Sequence, residues 1–377
     1  MSTPYGKLPP SAEYFLLPLV NVVVAFLISG LVVLIAGESP LRAFELLIKG
    51  SLGYGEGIGY TLYYATNFIF TGLAVAVAFH CGLFNIGGEG QAYLGGLGVA
   101  LPCLWLDRFV PWYVTFPLAV AGSAAFGALW ALIPGYLQAR RGSHVVITTI
   151  MFNFIASSLM VYLLVHVLKP VGAMAPQTRS FEAGGQLPTL GFLLRLLGLD
   201  PGIAPFNVSF LVALVACFFV WLIVWRTKFG YELRTLGQSA KAARYAGIHE
   251  ARIIILTMMI SGALAGMMAL NNVMGEQFSL QLDFVNGAGF VGIAVALMGR
   301  SHPVGIIPAA LLFGILYQGG AEIAFDMPNI SRDMIVVIQG LVILFAGALE
   351  NMFRPALASA FASFGARASR RATAAGE

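Results

Sequence analysis

Apolar residues in this chain come in long uncharged blocks rather than in alternation. Ten stretches lack Asp, Glu, Lys and Arg: 14–36, 58–79, 90–106, 109–139, 145–168, 206–225, 253–275, 284–299, 303–321 and 334–349. At about 1.5 Å per helical residue, most are long enough for a hydrocarbon core of about 30 Å. The pattern predicts an all-α, polytopic integral membrane protein of about ten helices. Two of the stretches, 284–299 and 334–349, hold 16 residues each, or about 24 Å of helix. Such short runs fit tilted or broken helices. Pro111, Pro117, Pro134, Pro303 and Pro308 predict kinks. Gly262 and Gly266 form a G-x-x-x-G helix contact.

The polar positions divide one transmembrane domain, 1–377, into parts. A first half covers about 58–168 and a second about 206–350. Between them lies the loop 169–205, with five prolines and an apolar stretch at 190–199 expected on the membrane surface. Segment 38–57 reads as a glycine-rich connection with a short helix at 41–49. Loop 226–252 is basic and rich in helix formers. The tail 351–377 is rich in Ala, Ser and Arg and receives no function.

Composition agrees with the pattern. The chain is 59% hydrophobic and 10% charged, where soluble domains carry about a quarter charged residues. Cys81, Cys103 and Cys217 are scattered in apolar context, which is neither a disulfide framework nor a metal cluster. The net charge of +4 gives no reason to expect nucleic acid; the placement of the cations matters more. With the N-terminus inside and ten crossings, 14 of the 21 Lys and Arg fall on inside segments and 7 outside. That bias puts both termini in the cytoplasm. The first apolar run is too long for a signal-peptide core and reads as a retained helix.

Much chemistry is absent. No G-x-x-x-x-G-K-[ST] loop or H-E-x-x-H motif occurs, and the five histidines are dispersed. The expectation is a transport chain rather than an enzyme, with no catalytic residue, no metal and no cofactor of its own.

What remains is polar and glycine-rich. Gly82–Gly98 holds Asn85, Glu89 and Gln91 among Gly87, Gly88 and Gly90. Asn85 suits a cap for a helix starting near Gly87, and Glu89 suits the positive end of that helix. Irregular glycine-rich backbone with a charge must be buried in protein or line a wet cavity. Two readings stay open: a tightly packed broken helix, or direct contact with a solute. In the second half, Gly287, Gly289 and Gly292 lead the short run 284–299, mirroring the first cluster as in two-repeat transporters. Asn67, Asn153 and Asn271 lie inside spans and join Asn85, Glu89 and Gln91 as pathway candidates. Each also suits a plain helix–helix hydrogen bond. In loop 226–252, Leu233, Leu236, Ala240, Ala243 and Gly247 recur at helical spacing. They suit a basic segment on anionic lipid or a short helix docking a partner.

Four phrases carry a family resemblance: GLFNIGGEGQ at 82–91, GSHVVITTIMFNFIA at 142–156, LGQSAKAARYAGI at 236–248 and GFVGIAVALMGRSHPVG at 289–305. Together they resemble the permease subunits of bacterial ABC importers of the ribose, branched-chain amino acid and nucleoside class. FNIGGEGQ with the long outside loop is most similar to the nucleoside type. The resemblance spans about 58–350. It implies a bacterial plasma-membrane subunit that moves a small polar solute inward. It also implies a separate ATPase subunit binding ATP and Mg, a second permease chain, identical or homologous, and a periplasmic or lipoprotein solute-binding protein. The coupling helix would lie at 231–248, with Leu233, Leu236, Gly237, Lys241, Ala242, Ala243, Arg244 and Gly247. Lys241-Ala242-Ala243 and Gly247 match the spacing of the E-A-A-x-x-x-G loop of many ABC permeases, without its leading Glu. A stand-alone secondary carrier and a membrane-embedded enzyme are the rival classes.

Overall fold

The computed structural model describes residues 17–348; the early cation Lys7 and the tail 351–377 lie outside them. Fourteen α-helices make up the described chain, and no strand longer than an isolated bridge occurs among the described residues. They are α1 (Leu17–Ile35), α2 (Pro40–Leu52), α3 (Gly55–His80), α4 (Gly88–Leu106), α5 (Trp112–Arg141), α6 (Val145–Tyr162), α7 (Gly191–Leu196), α8 (Ser209–Arg226), α9 (Lys228–Gln238), α10 (Ala240–Tyr245), α11 (Glu250–Met267), α12 (Ala288–Met298), α13 (Pro303–Asp326) and α14 (Arg332–Ala348). Short π-helical turns, Leu163–Val167 and Leu270–Met274, prolong α6 and α11. Such turns are frequent at functional sites.

Every one of the ten charge-free stretches overlaps a helix. Six of the described helices are long and apolar enough to cross a membrane: α3, α5, α8, α13, and α6 and α11 with their π turns. The pair Val23–Ile35 and Pro40–Leu52, bent by 117°, makes a seventh if it acts as one span. The count is lower than ten for physical reasons. α12 has 11 residues, about 16 Å of helix, and cannot cross alone. α4 is long enough, but Glu89, Gln91 and five glycines dilute its apolar character.

The chain divides into two compact units: Leu47–Gly319, and the flanking segments up to Leu46 and from Gly320. In the flanking unit α1 packs on α14. Phe26 meets Phe44 edge-on at 5.9 Å, and Asn329 donates to Glu38.

The larger unit is built on close helix contacts. A Cβ added at Gly127 would sit 2.2 Å from the Gly262 carbonyl oxygen, and one at Gly95 would sit 2.3 Å from that of Gly266. The G-x-x-x-G of α11 thus lets α4 and α5 approach backbone to backbone. Small residues serve this purpose where lipid tails remove the hydrophobic drive between helices. α3 is buried along most of its length, whereas α5, α6 and α8 expose broad apolar faces such as Leu129, Phe154 and Phe218.

Three local expectations change. Pro111 caps α5 and Pro303 opens α13. Proline is favoured at helix starts because its missing N–H is unpaired there anyway. Only Pro117, Pro134 and Pro308 are interior. The stretch 190–199 does not simply lie on a surface: Leu190 and Leu194 are buried with Phe206, against Ile58 and Leu62. Loop 226–252 is not one helix. Ser239 ends α9 and caps α10, its hydroxyl accepting the Ala242 N–H at 3.2 Å.

Candidate functional site

The opening glycine stretch is a turn held from three sides. The Asn85 side chain accepts the Gly87 N–H at 2.9 Å, an Asx turn; the helix cap expected at Asn85 falls instead on Gly87, with no side chain capping α4. It exchanges two hydrogen bonds with Gln91, at 3.0 and 3.1 Å, and donates to Ser261 of α11 at 2.8 Å. Ser261 in turn donates to the Ala74 carbonyl of α3 at 2.6 Å. From α6, Asn153 accepts the Gly90 N–H and donates to the Ile86 carbonyl, both at 2.9 Å. Asn85, Gln91 and Asn153 are buried. Asn85 and Asn153 brace the backbone and Gln91 pairs with Asn85, which is how buried polar groups avoid their desolvation cost.

Glu89 points elsewhere. Its two carboxylate oxygens accept the N–H groups of Gly287 and Gly289, at 2.8 and 2.9 Å, across to the start of α12. The sequence reading set Glu89 at the positive end of its own helix. In the structure it lies in the first turn of α4 and also neutralises the exposed N–H groups of α12. The glycines permit this approach: a Cβ added at Gly289 would lie 2.3 Å from the Glu89 nitrogen. Gly287 has φ +78°, a conformation costly for residues with a Cβ. The two glycine clusters that mirror each other in sequence are therefore in contact.

Their depth follows from α3. Gly292 meets Thr71, and the His80 ring nitrogen donates to the Ser301 carbonyl at 2.9 Å; both pairs are 221 positions apart in sequence. α12 thus runs parallel to α3 in steady register. The same register sets Gly287 beside Thr66, near the middle of the 26-residue α3. α4 and α12 both begin inside the membrane-spanning layer.

A second polar cluster holds Asn67 and Asn271. Asn271 donates to the Asn67 side chain at 2.8 Å and to the Tyr63 carbonyl at 2.9 Å. Its oxygen accepts from Asn207 at 2.9 Å and Ser209 at 3.0 Å. This ties α3, the π turn after α11 and the start of α8 together. Asn207, Ser209 and Ser261 were missed from sequence; the available signal was a polar residue in or beside an uncharged run. Tyr63 also bonds the Glu276 carboxylate, and Tyr93 donates to Asp283 at 3.0 Å.

The loop 169–205 forms a strap over the segment after α11. Thr178, Phe181 and Leu187 donate their N–H groups to the carbonyls of Leu280, Phe278 and Met274 at 2.6–3.0 Å. Arg179 clamps Asp107 at the end of α4 with two bonds of 2.7 Å, and donates to the Leu104 carbonyl at 2.7 Å. Burial pushes the Asp107 carboxyl up. Arg179, the Glu182 N–H and Arg108 outweigh that and hold it below the usual carboxylate range.

On the opposite end, α9 closes on the opening stretch. A Cβ at Gly237 would lie 2.2 Å from the His80 carbonyl oxygen and 2.9 Å from the Gly82 nitrogen. Leu233, Leu236 and Ala243 turn inward and are buried. Lys241, Ala242, Arg244 and Gly247 are exposed, as is Tyr245 at 95%. Arg244 pairs bidentately with Glu250 at 2.7 and 3.1 Å. Among the described residues no group of three or more His, Cys, Asp or Glu is arranged to hold a metal.

Comparison with known proteins agrees with this architecture. Residues 57–347 match the family described as branched-chain amino acid transport system / permease component. The chain is 33% identical to the guanosine ABC transporter permease protein NupP of Bacillus subtilis, over 88% of this chain and 93% of that one. It is 32% identical to the nucleoside ABC transporter permease protein NupB of Lactococcus lactis, over 88% and 90%. It is 31% identical to the glucose ABC transporter permease protein TsgB13 of Haloferax volcanii, over 87% and 86%. The chain belongs to the branched-chain amino acid transport system permease family: it is a multi-pass membrane permease subunit of an ABC importer, a transport component and not an enzyme.

Proposed function

We propose that this permease carries nucleosides into the cytoplasm of a bacterial cell, across the plasma membrane, with both termini inside. Its relatives in Bacillus subtilis and Lactococcus lactis, named for guanosine and nucleoside transport, carry this reading. Two permease chains enclose the path. Two ATPase subunits, holding ATP and Mg, dock at Lys241–Gly247, where small and basic side chains are exposed. A solute-binding protein delivers its load at the strap. Each nucleotide state favours one conformation of the permease, because only a differential affinity shifts such an equilibrium. The contact of Gly237 with the end of α3 gives the ATPase surface a short mechanical route to the Glu89 junction.

A sugar is the second reading, favoured by the likeness to the glucose permease. Uptake in cells carrying the whole transporter separates the two. Labelled guanosine should enter, and excess uridine should compete while excess glucose does not. Competition by glucose alone would overturn the nucleoside assignment.

A further inference from the structure

Residues exposed at mid-depth on a membrane protein must face water or another protein when they are charged or amide-bearing, because hydrocarbon offers them no partner. Asp283, Asn286 and Phe290 are exposed, and they flank the start of α12. By the register with α3, Asn286 lies level with Ala65, near the middle of that helix. By contrast, Asn67, Asn85, Gln91 and Asn271 are buried and paired within the chain.

The backbone here is built to hold that display. Phe278, Asp283 and Asn286 have φ of +50°, +56° and +49°. Left-handed backbone is uncommon for residues with a Cβ, though Asn and Asp tolerate it best. Three such residues within nine positions keep segment 275–287 out of helix, with Asp283 and Asn286 exposed while Leu280, Phe284 and Val285 are buried. The segment is fastened on every side. The strap holds Phe278 and Leu280, Asn272 donates to the Phe284 carbonyl at 2.6 Å, and Glu89 holds Gly287 and Gly289. Tyr93 fixes Asp283 through one carboxylate oxygen. The Asn272 side-chain oxygen is a buried acceptor with no donor among the described residues.

We propose that Asp283, Asn286 and Phe290 are the solute-contacting residues of this subunit, and that their ligand is a nucleoside. The inference rests on the nucleoside reading above. The carboxylate accepts hydrogen bonds from sugar hydroxyls. The amide pairs with donors and acceptors on the base edge, and the Phe290 ring offers a face for stacking. A ring, an amide and an acid suit an uncharged polar aromatic solute. A phosphorylated one would meet repulsion from Asp283.

Cysteine labelling in the assembled transporter, in membranes with its ATPase and binding protein, tests this. Asn286→Cys and Phe290→Cys should react with an aqueous, positively charged thiosulfonate at least about tenfold faster than Phe219→Cys on α8, which is exposed on an apolar helix face. Guanosine with its binding protein and ATP should slow that reaction. Asp283→Asn, which keeps a residue tolerant of positive φ, should lower guanosine uptake about tenfold while the transporter still assembles with its ATPase. The Phe290 variant lies in helix and keeps the test independent of backbone strain at Asn286. If both cysteines react no faster than the one at 219 while the native transporter takes up guanosine at the expense of ATP, the site is wrong and the nucleoside reading stands. If the native transporter takes up no guanosine, the nucleoside reading fails and the proposal with it.

Discussion

The Glu89 carboxylate and the Gly289 N–H, 200 positions apart in sequence, meet at 2.9 Å. One acid in the first turn of α4 thereby closes the start of α12. Removing it leaves the buried Gly289 N–H and the half-buried Gly287 N–H without this partner, the buried one worth about 1–3 kcal/mol. Glu89→Gln keeps the shape but turns one acceptor into a donor facing an N–H. It should destabilise the purified protein by about 1–3 kcal/mol, and Gly289→Ala should do at least as much through its clash with the Glu89 backbone. Thermal unfolding of the two variants checks this; an unchanged Tm for Glu89→Gln contradicts the clamp.

The Asn271 hub makes a different forecast. Asn271→Leu removes four bonds at once, to the Asn67 oxygen, the Tyr63 carbonyl, the Asn207 amide and the Ser209 hydroxyl, although Asn207 keeps its bond to the Pro205 carbonyl and Tyr63 keeps its helical bond. Stability should fall by about 1–3 kcal/mol, the cost of leaving a buried polar group such as the Asn67 oxygen without this partner. Asn207→Ala removes the bond to Asn271 together with those to Ser209 and the Pro205 carbonyl and should also destabilise the protein. Denaturation of both variants and of their combination reads the coupling. Fully additive losses would mean that the network does not act as a unit.

Gly237 tests the link between the ATPase surface and the membrane core. Gly237→Val places atoms into the His80 carbonyl and the Gly82 nitrogen. Membrane insertion should persist, because the apolar helices are untouched. Solute moved per ATP hydrolysed should fall several-fold, as a shifted α9 no longer tracks the end of α3. Normal coupling in this variant would show that the contact does not transmit motion.

The strap should respond to acid through Asp107. Its carboxyl lies below the usual range when folded, so its contribution is complete above the unfolded value near pH 3.9. It is lost as pH falls further, through the lower folded value. Hydrogen exchange at the Phe181 and Leu187 amides, corrected for intrinsic rate, should therefore stay flat from neutral pH to about 4 and rise below it. Asp107→Asn should show fast exchange at every pH.

Much of this was legible in the chain because membranes impose simple rules. Uncharged runs became helices and Gly262 and Gly266 became a helix contact, while Asn85 closes the turn before α4 rather than capping the helix itself. Glu89 was legible as a helix-start acid, but its true partners are 198 and 200 positions away, beyond any local pattern. The same holds for Asn207 with Asn271 and for Arg179 with Asp107. Segment 275–287 was hidden for another reason. Its role depends on left-handed backbone at Phe278, Asp283 and Asn286, and only the last two are residue types that suggest it. The Ser239 break between α9 and α10 was visible as a capping residue, yet the apolar spacing across it suggested one continuous helix.

The central claim is that this chain is a pathway driven by a separate ATPase. Reconstitution in vesicles measures it directly. With the second permease chain, ATPase, binding protein and ATP, labelled guanosine should accumulate, and omitting the ATPase or ATP should abolish uptake. Accumulation by this chain alone, unaffected by depleting ATP, would contradict the account.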